Sequence, residues 1–146
     1  GPVRFTFLPA QHWCNRAFWD NRQPRLWGSW AIRGPRRALY FGGDSGWFPG
    51  YPEIGAAAGP FDLTLLPIGA YEPRWFMEPN HNNPADVVKA FQDSGAKTLV
   101  PMHYGTFNMS DESPGMPIRT LRDEVEKAGL TGRVRTLNIY ESLAIP

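Results

Sequence analysis

The stretch LYFGGDSGWFPG, residues 39–50, sets an apolar run against a single acid. Leu39, Tyr40 and Phe41 read as the end of a strand. Asp44 then stands among Gly42, Gly43 and Gly46, with no bulky side chain beside it. One reading is a simple Asx turn, in which the carboxylate bonds its own backbone. The other is a carboxylate held clear so that a cation or a substrate can approach the chain closely.

The same arrangement recurs twice. His12 follows the alternating run RFTFL (residues 4–8), and His103 directly follows the apolar run TLVPM (residues 98–102). The chain has only three histidines, and the third, His81, lies in Asn80-His81-Asn82-Asn83-Pro84. His12, Asp44 and His103 therefore sit just past the carboxyl ends of three expected strands, the edge where open α/β sheets place their sites. Imidazole and carboxylate are the ligand set of zinc, iron and manganese. Their separations, 32 and 59 residues, match no short zinc-finger spacing. On the residues alone a metal site and a set of ordinary hydrogen-bonded turns both stand.

Outward from these positions the chain reads as strands first, then alternating strands and helices. Strands are expected at 4–8, 26–32, 37–41, 61–68 and 98–102, with a last one at 133–139 that 142–145 continues. Arg33-Gly34-Pro35-Arg36 marks a hairpin turn, its clustered arginines read as solvated charge. Helices are expected at 51–58, 84–94 and 117–128. The second has Asn83 as N-cap, Pro84 at its first position, Asp86 in its first turn and Gly95 as its stop. This order predicts an α/β fold whose mixed sheet is largely buried. Residues 9–25 read as a loop rich in Trp and Arg.

Composition narrows the function classes. The chain has 146 residues, enough for one domain, and 42% are hydrophobic against 20% charged. Fifteen basic residues nearly balance fourteen acidic ones, so no basic face points to nucleic acid. One cysteine, Cys14, excludes an internal disulfide, and its closeness to His12 in sequence makes only a weak nucleophile pair. No apolar run is long enough to span a membrane. Gly1-Pro2, followed at once by a strand, reads as a cleavage scar.

Longer blocks carry a resemblance. Gln11-His12-Trp13-Cys14, Trp27-Gly28-Ser29-Trp30, Gly43-Asp44-Ser45-Gly46, Gly59-Pro60-Phe61-Asp62, the run from Pro67 to Met77 and His103-Tyr104-Gly105-Thr106-Phe107 follow one another in order. Together they resemble the metallo-β-lactamase-fold hydrolases, in the branch of N-acyl-phosphatidylethanolamine phospholipase D. The resemblance runs from about Phe5 to Phe107; beyond it only the helix–strand plan is similar.

It implies that residues 1–146 are a single domain, one half of an αββα sandwich with helices on one face of a mixed sheet. It implies that His12, Asp44 and His103 are catalytic and bind metal, Asp44 bridging two zinc ions, and that His81 faces the substrate phosphate. The activity implied is zinc-dependent hydrolysis of a phosphodiester, in a phospholipid or a similar substrate. The family's His-x-His-x-Asp-His motif, which belongs to the amino-terminal half, does not occur here. The expected partner is therefore that missing half or a second copy in a self-paired dimer, with the isolated chain inactive. Two alternatives stand beside this: a non-catalytic remnant that keeps the fold for association, and a lactonase of the same fold. Six tryptophans, five tyrosines and nine phenylalanines are more than one small core needs, so an apolar sheet face awaiting a companion is expected. Trp75, Phe76 and Met77 read as core or interface packing ahead of a lipid-contacting loop. A cytoplasmic or peripheral-membrane location is favoured over secretion.

Overall fold

The computed structural model describes residues 1–14 and 26–145. Five strands form one mixed sheet: β1 (Arg4–Leu8), β2 (Ser29–Arg33), β3 (Ala38–Phe41), β4 (Leu63–Pro67) and β5 (Thr98–Met102), in that spatial order. Pairing is antiparallel from β1 to β3 and parallel from β3 to β5. Among the described residues four helices lie between and after the later strands: α1 (Tyr51–Ala58), the single-turn α2 (Arg74–Met77), α3 (Pro84–Asp93) and α4 (Met116–Lys127). This is the α/β architecture expected of half an αββα sandwich.

Local chemistry accounts for most boundaries. Pro52 suits the first turn of α1, where its missing N–H has no helical partner, and Gly59 N–H caps the end on the Gly55 carbonyl. Arg33 also serves this end: its Nη2 donates to the carbonyls of Ala58 at 2.6 Å and Gly59 at 3.0 Å, so it is more than solvated turn charge. Helix α3 has a full capping box. Asp86 N–H donates to the Asn83 side chain at 2.8 Å, and Asn83 N–H donates to the Asp86 carboxylate at 3.1 Å.

The sheet alternation divides the side chains cleanly. Ala31, Ala38, Tyr40, Leu66 and Leu99 point to one face, where they join Tyr51, Ile54, Val87, Phe91, Leu121 and Val125 from the helices in the core. The cross-strand partners Phe5, Phe7, Trp30 and Phe41 share the opposite face. These four are 62, 45, 40 and 39% exposed. An apolar face is therefore open, as the aromatic content predicts.

Three expectations change. The second strand begins at Ser29, not residue 26; Leu26 lies outside the sheet, exposed. The final strand at 133–139, with its continuation at 142–145, does not form. Thr131–Arg133 is a 3-10 turn, and only Val134 makes a bridge, to Leu99, before the chain leaves the sheet. Arg133 holds that turn by donating to the Ala96 and Lys97 carbonyls, and Arg135 N–H donates to the Leu99 carbonyl beside that bridge. Helix α2 was not expected, and it holds Trp75 and Phe76 out at 83 and 61% exposure, so they do not pack into this chain's core. Most of the loop at 9–25 lies outside the described residues.

The Asn83 cap fixes where α3 begins. Replacing Asn83 with Ala is expected to destabilise the chain by about 1 kcal/mol, read by urea denaturation.

Candidate metal centre

The strand directions bring the singled-out residues together. β1 and β3 are both antiparallel to β2, and β4 and β5 run with β3. The carboxyl ends of β1, β3, β4 and β5 therefore meet at one edge of the sheet. His12 follows β1, Asp44 follows β3 and His103 follows β5 at that edge, while His81 comes from the connection between α2 and α3.

A buried serine ties these loops. Gln11 N–H donates to Ser45 Oγ at 2.9 Å, and Gly46 N–H donates to the Gln11 carbonyl at 2.8 Å. Asn82 N–H donates to the Ser45 carbonyl at 3.0 Å. Positions 11, 45 and 82 are thus joined, and their neighbours His12, Asp44 and His81 converge. Gly46 has to be glycine, since a Cβ there would stand 2.8 Å from the Pro79 carbonyl oxygen and 2.9 Å from that of Glu78. Gly43 has φ +67°, in the region that favours glycine. Sequence reasoning gave Ser45 and Asn82 no role. Their signals, Gly-Asp-Ser-Gly and Asn-Asn-Pro, show turns but not which turns meet.

All three histidines surround one carboxylate. His12 Nε2 lies 3.3 Å from Asp44 Oδ2, His103 Nε2 lies 3.4 Å from the same oxygen, and His81 Nδ1 lies 3.1 Å from Asp44 Oδ1. The rings of His12 and His81 are perpendicular at 5.3 Å between centroids. The sequence reading set His81 apart from the ligands; here its ring reaches Asp44 as closely as theirs. The ligand atoms of His12, Asp44 and His81 all fall within 4.8 Å of one another, so these three are close enough to share an ion. His103 approaches the group from the more exposed side.

The carboxylate is under strong electrostatic bias. Burial pushes the Asp44 carboxyl up, but contact with His103, His12 and His81 outweighs it and holds the group well below the usual carboxylate range. Contact with Asp44 in turn raises His12 and His103 above the ordinary imidazole value of 6.5.

These residues fit a metal ion. The Nδ1 of His12 is 2.7 Å from the Trp13 carbonyl and donates to it, which leaves Nε2 to face Asp44. His12 Nε2, His81 Nδ1 and Asp44 Oδ1 are buried and have no hydrogen-bond partner. A neutral His12 would point a lone pair at a carboxylate oxygen, so that contact calls for a proton or a cation between the two. Ligand atoms 3.1–3.4 Å apart are spaced as neighbours around one ion with bonds of about 2.0–2.2 Å.

The site forms the polar end of a cleft of about 540 Å³. The rest of that cleft is largely apolar, with Met77, Tyr104, Phe107 and Met109 along it. Cys14 is exposed, and it is absent from the cleft lining.

Comparison with known proteins agrees with this geometry. A family model described as a beta-lactamase superfamily domain matches residues 1–104. The chain is 45% identical over 103 residues to an N-acyl-phosphatidylethanolamine-hydrolyzing phospholipase D of Caenorhabditis elegans, covering 70% of this chain and 29% of that protein. It is 44% identical over 128 residues to an uncharacterized protein of Mycobacterium tuberculosis, covering 85% of this chain and 33% of that protein. Among solved structures, the metallo hydrolase Igni18 of Ignicoccus hospitalis superposes with a TM-score of 0.66 at 26% identity, over 93% of this chain and 50% of that one. The chain thus spans about a third of the length of these two sequence relatives.

The pH dependence of the metal-free chain follows from the raised histidines. Their contribution to stability is fully present below the unfolded value near 6.5 and is lost as pH rises through the higher folded values. The Asp44 contribution, from a lowered carboxyl, is constant above about pH 5. The chelator-treated protein is therefore expected to melt at a higher temperature at pH 6 than at pH 8. The difference should shrink in His12→Ala.

Proposed function

Because the chain belongs to the metallo-β-lactamase superfamily, we propose that it supplies the carboxyl-terminal half of a zinc-dependent phosphodiesterase site acting on N-acylated phospholipids or similar diesters. The observation that carries this is the convergence of three imidazoles on the Asp44 carboxylate at the polar end of an apolar cleft. The identity with the Caenorhabditis elegans phospholipase supports the substrate class.

His12, Asp44 and His103 would hold the metal; both of these histidines face Asp44 Oδ2, while Oδ1 faces His81. Zinc bound here would polarise a phosphoryl oxygen and activate water for attack at phosphorus. The chain's own residues do the rest. His12 is oriented through its Nδ1–H on Trp13, the usual device that aims the other nitrogen at a ligand position. His81, beside the capped start of α3, would donate to a phosphate oxygen, where a helix N-terminus already favours an anion. The apolar wall would take the acyl part of the substrate and exclude water from it.

The open sheet face belongs to the same proposal. Phe5, Phe7, Trp30 and Phe41 would be covered by a companion, either an amino-terminal half or a second copy, which brings the remaining ligands. Each such side chain is worth roughly 1.5–3 kcal/mol when fully buried, so the face favours association. Trp75 and Phe76, exposed on α2, support peripheral contact with a lipid surface. Among the described residues no helix is long and apolar enough to cross a membrane.

The test is zinc titration of the chain by calorimetry, beside hydrolysis of N-acyl-phosphatidylethanolamine and of a lactone by the chain together with its amino-terminal half. Replacing His12 or His103 with Ala is expected to weaken zinc binding by at least about tenfold. His81→Ala is expected to weaken the phosphodiester interaction, and an equal loss of zinc binding in that variant would make His81 a ligand instead. Undiminished binding after both His12 and His103 are replaced would remove the metal assignment. Preferential turnover of the lactone would keep the metal and replace the substrate.

A further inference from the structure

Glu112 lies beyond the residues matched by the family model, in a loop to which the sequence reading gave no role. It is nonetheless only 6% exposed. Burying a carboxylate is costly unless it is paired or hydrogen-bonded, and no ion pair among the described residues includes it. Its two oxygens are satisfied by backbone instead. Oε1 accepts from Ala70 N–H at 2.6 Å, and Oε2 accepts from Glu72 N–H at 3.0 Å.

The segment it grips presses on the site. Ala70 has φ 62°, a left-handed conformation that a non-glycine residue holds only under constraint. Next to it, Gly69 packs so tightly that a Cβ would stand 2.3 Å from the His103 carbonyl oxygen. His103 itself has φ 60°. Ile68 N–H donates to the Met102 carbonyl at 3.0 Å, closing the contact from the strand side. Two constrained backbones therefore lie against each other, and Glu112 holds one of them in place from behind. Gly69, Ala70, His103 and Glu112 all line the cleft.

We infer that Glu112 is a positioning residue for His103, acting through the bonds of its carboxylate to Ala70 and Glu72. Both oxygens are engaged by backbone amides, so the group acts as a brace on the backbone it grips. By fixing the 69–72 backbone it fixes the seat of His103, whose Nε2 must reach Asp44. The importance of this for hydrolysis rests on the role proposed above for His103; the brace itself does not.

The test uses the metal-free chain, so failure of the zinc reading leaves it intact. Imidazole nitrogen–proton spectra and backbone amide exchange are compared for the unaltered chain and Glu112→Gln, with Glu126→Gln on the exposed face of α4 as control. The Gln amide can accept from one N–H but opposes the other with donors of its own. Exchange at Ala70 and Glu72 is expected to rise about tenfold or more, on the scale of a lost hydrogen bond to a charged group. The His103 ring signals should move while those of His12 stay. Unchanged exchange, or fast exchange with unmoved His103 signals, would overturn the inference. Should Glu112→Gln not fold, the unaltered chain and Glu112→Asp decide: both amides must be protected in the former, and the latter must shift the His103 signals while those of His12 stay.

Discussion

The structure turns on one desolvated negative charge. Asp44 is the only acid in its loop, and it is held among glycines, so ring nitrogens can come to it. A partly buried carboxylate needs compensation, and three imidazoles at 3.1–3.4 Å supply it. That demand disciplines loops from four parts of the chain. The loops after β1, β3 and β5 and the connection before α3 must all end within reach of the same two oxygens. Ser45, adjacent to the acid, anchors two of those loops through hydrogen bonds to Gln11 and Asn82. Local turn chemistry and the charge therefore act at the same place.

How much of this the sequence discloses depends on whether a signal is local. Tyr51–Ala58 and Thr98–Met102 have the bounds expected of them, because proline, glycine and a continuous apolar run mark their ends. The edge on which His12, Asp44 and His103 stand was also legible, since each follows its strand closely. His81 was visible as a candidate, but its approach to Asp44 depends on a backbone bond between Asn82 and Ser45, 37 positions away. No pattern within a window could report that. The strand expected at 133–139 failed for the converse reason. Val134, Leu137 and Ile139 give it the look of a strand, yet a strand needs a ladder, and the segment bridges β5 at one point only. Glu112 escaped altogether, because an acid in a polar loop looks the same whether it is solvated or buried.

The two faces of the sheet show how a single composition serves two purposes. Tyr40, Leu66 and Leu99 are fully buried under the helices and make a core for this chain by itself. Phe5, Phe7, Trp30 and Phe41 alternate with residues of that core face, and Phe7 packs edge-on against Trp30 at 5.1 Å between ring centroids. They form a coherent surface. Aromatic residues so placed contribute little to stability while they face water, and their energy becomes available on association. Among the described residues these four exposed aromatics thus lie on one side of the sheet.

The same division by environment governs the cleft. Its polar end is fixed mainly by strand termini, which the sheet holds rigidly, while most of its apolar wall (Tyr104, Phe107 and Met109) comes from the less regular segment that follows β5. A rigid end suits chemistry that requires several groups to meet one charge within a few tenths of an ångström. A wall carried on a loop can change its side chains without disturbing the strands beneath. The two must still be kept in register, and the contacts that do so are the backbone of Gly69 against His103 and the Glu112 carboxylate behind it. A buried acid bound only to amides is well suited to that task, because its geometry is set by two directed bonds and not by the diffuse attraction of a cation.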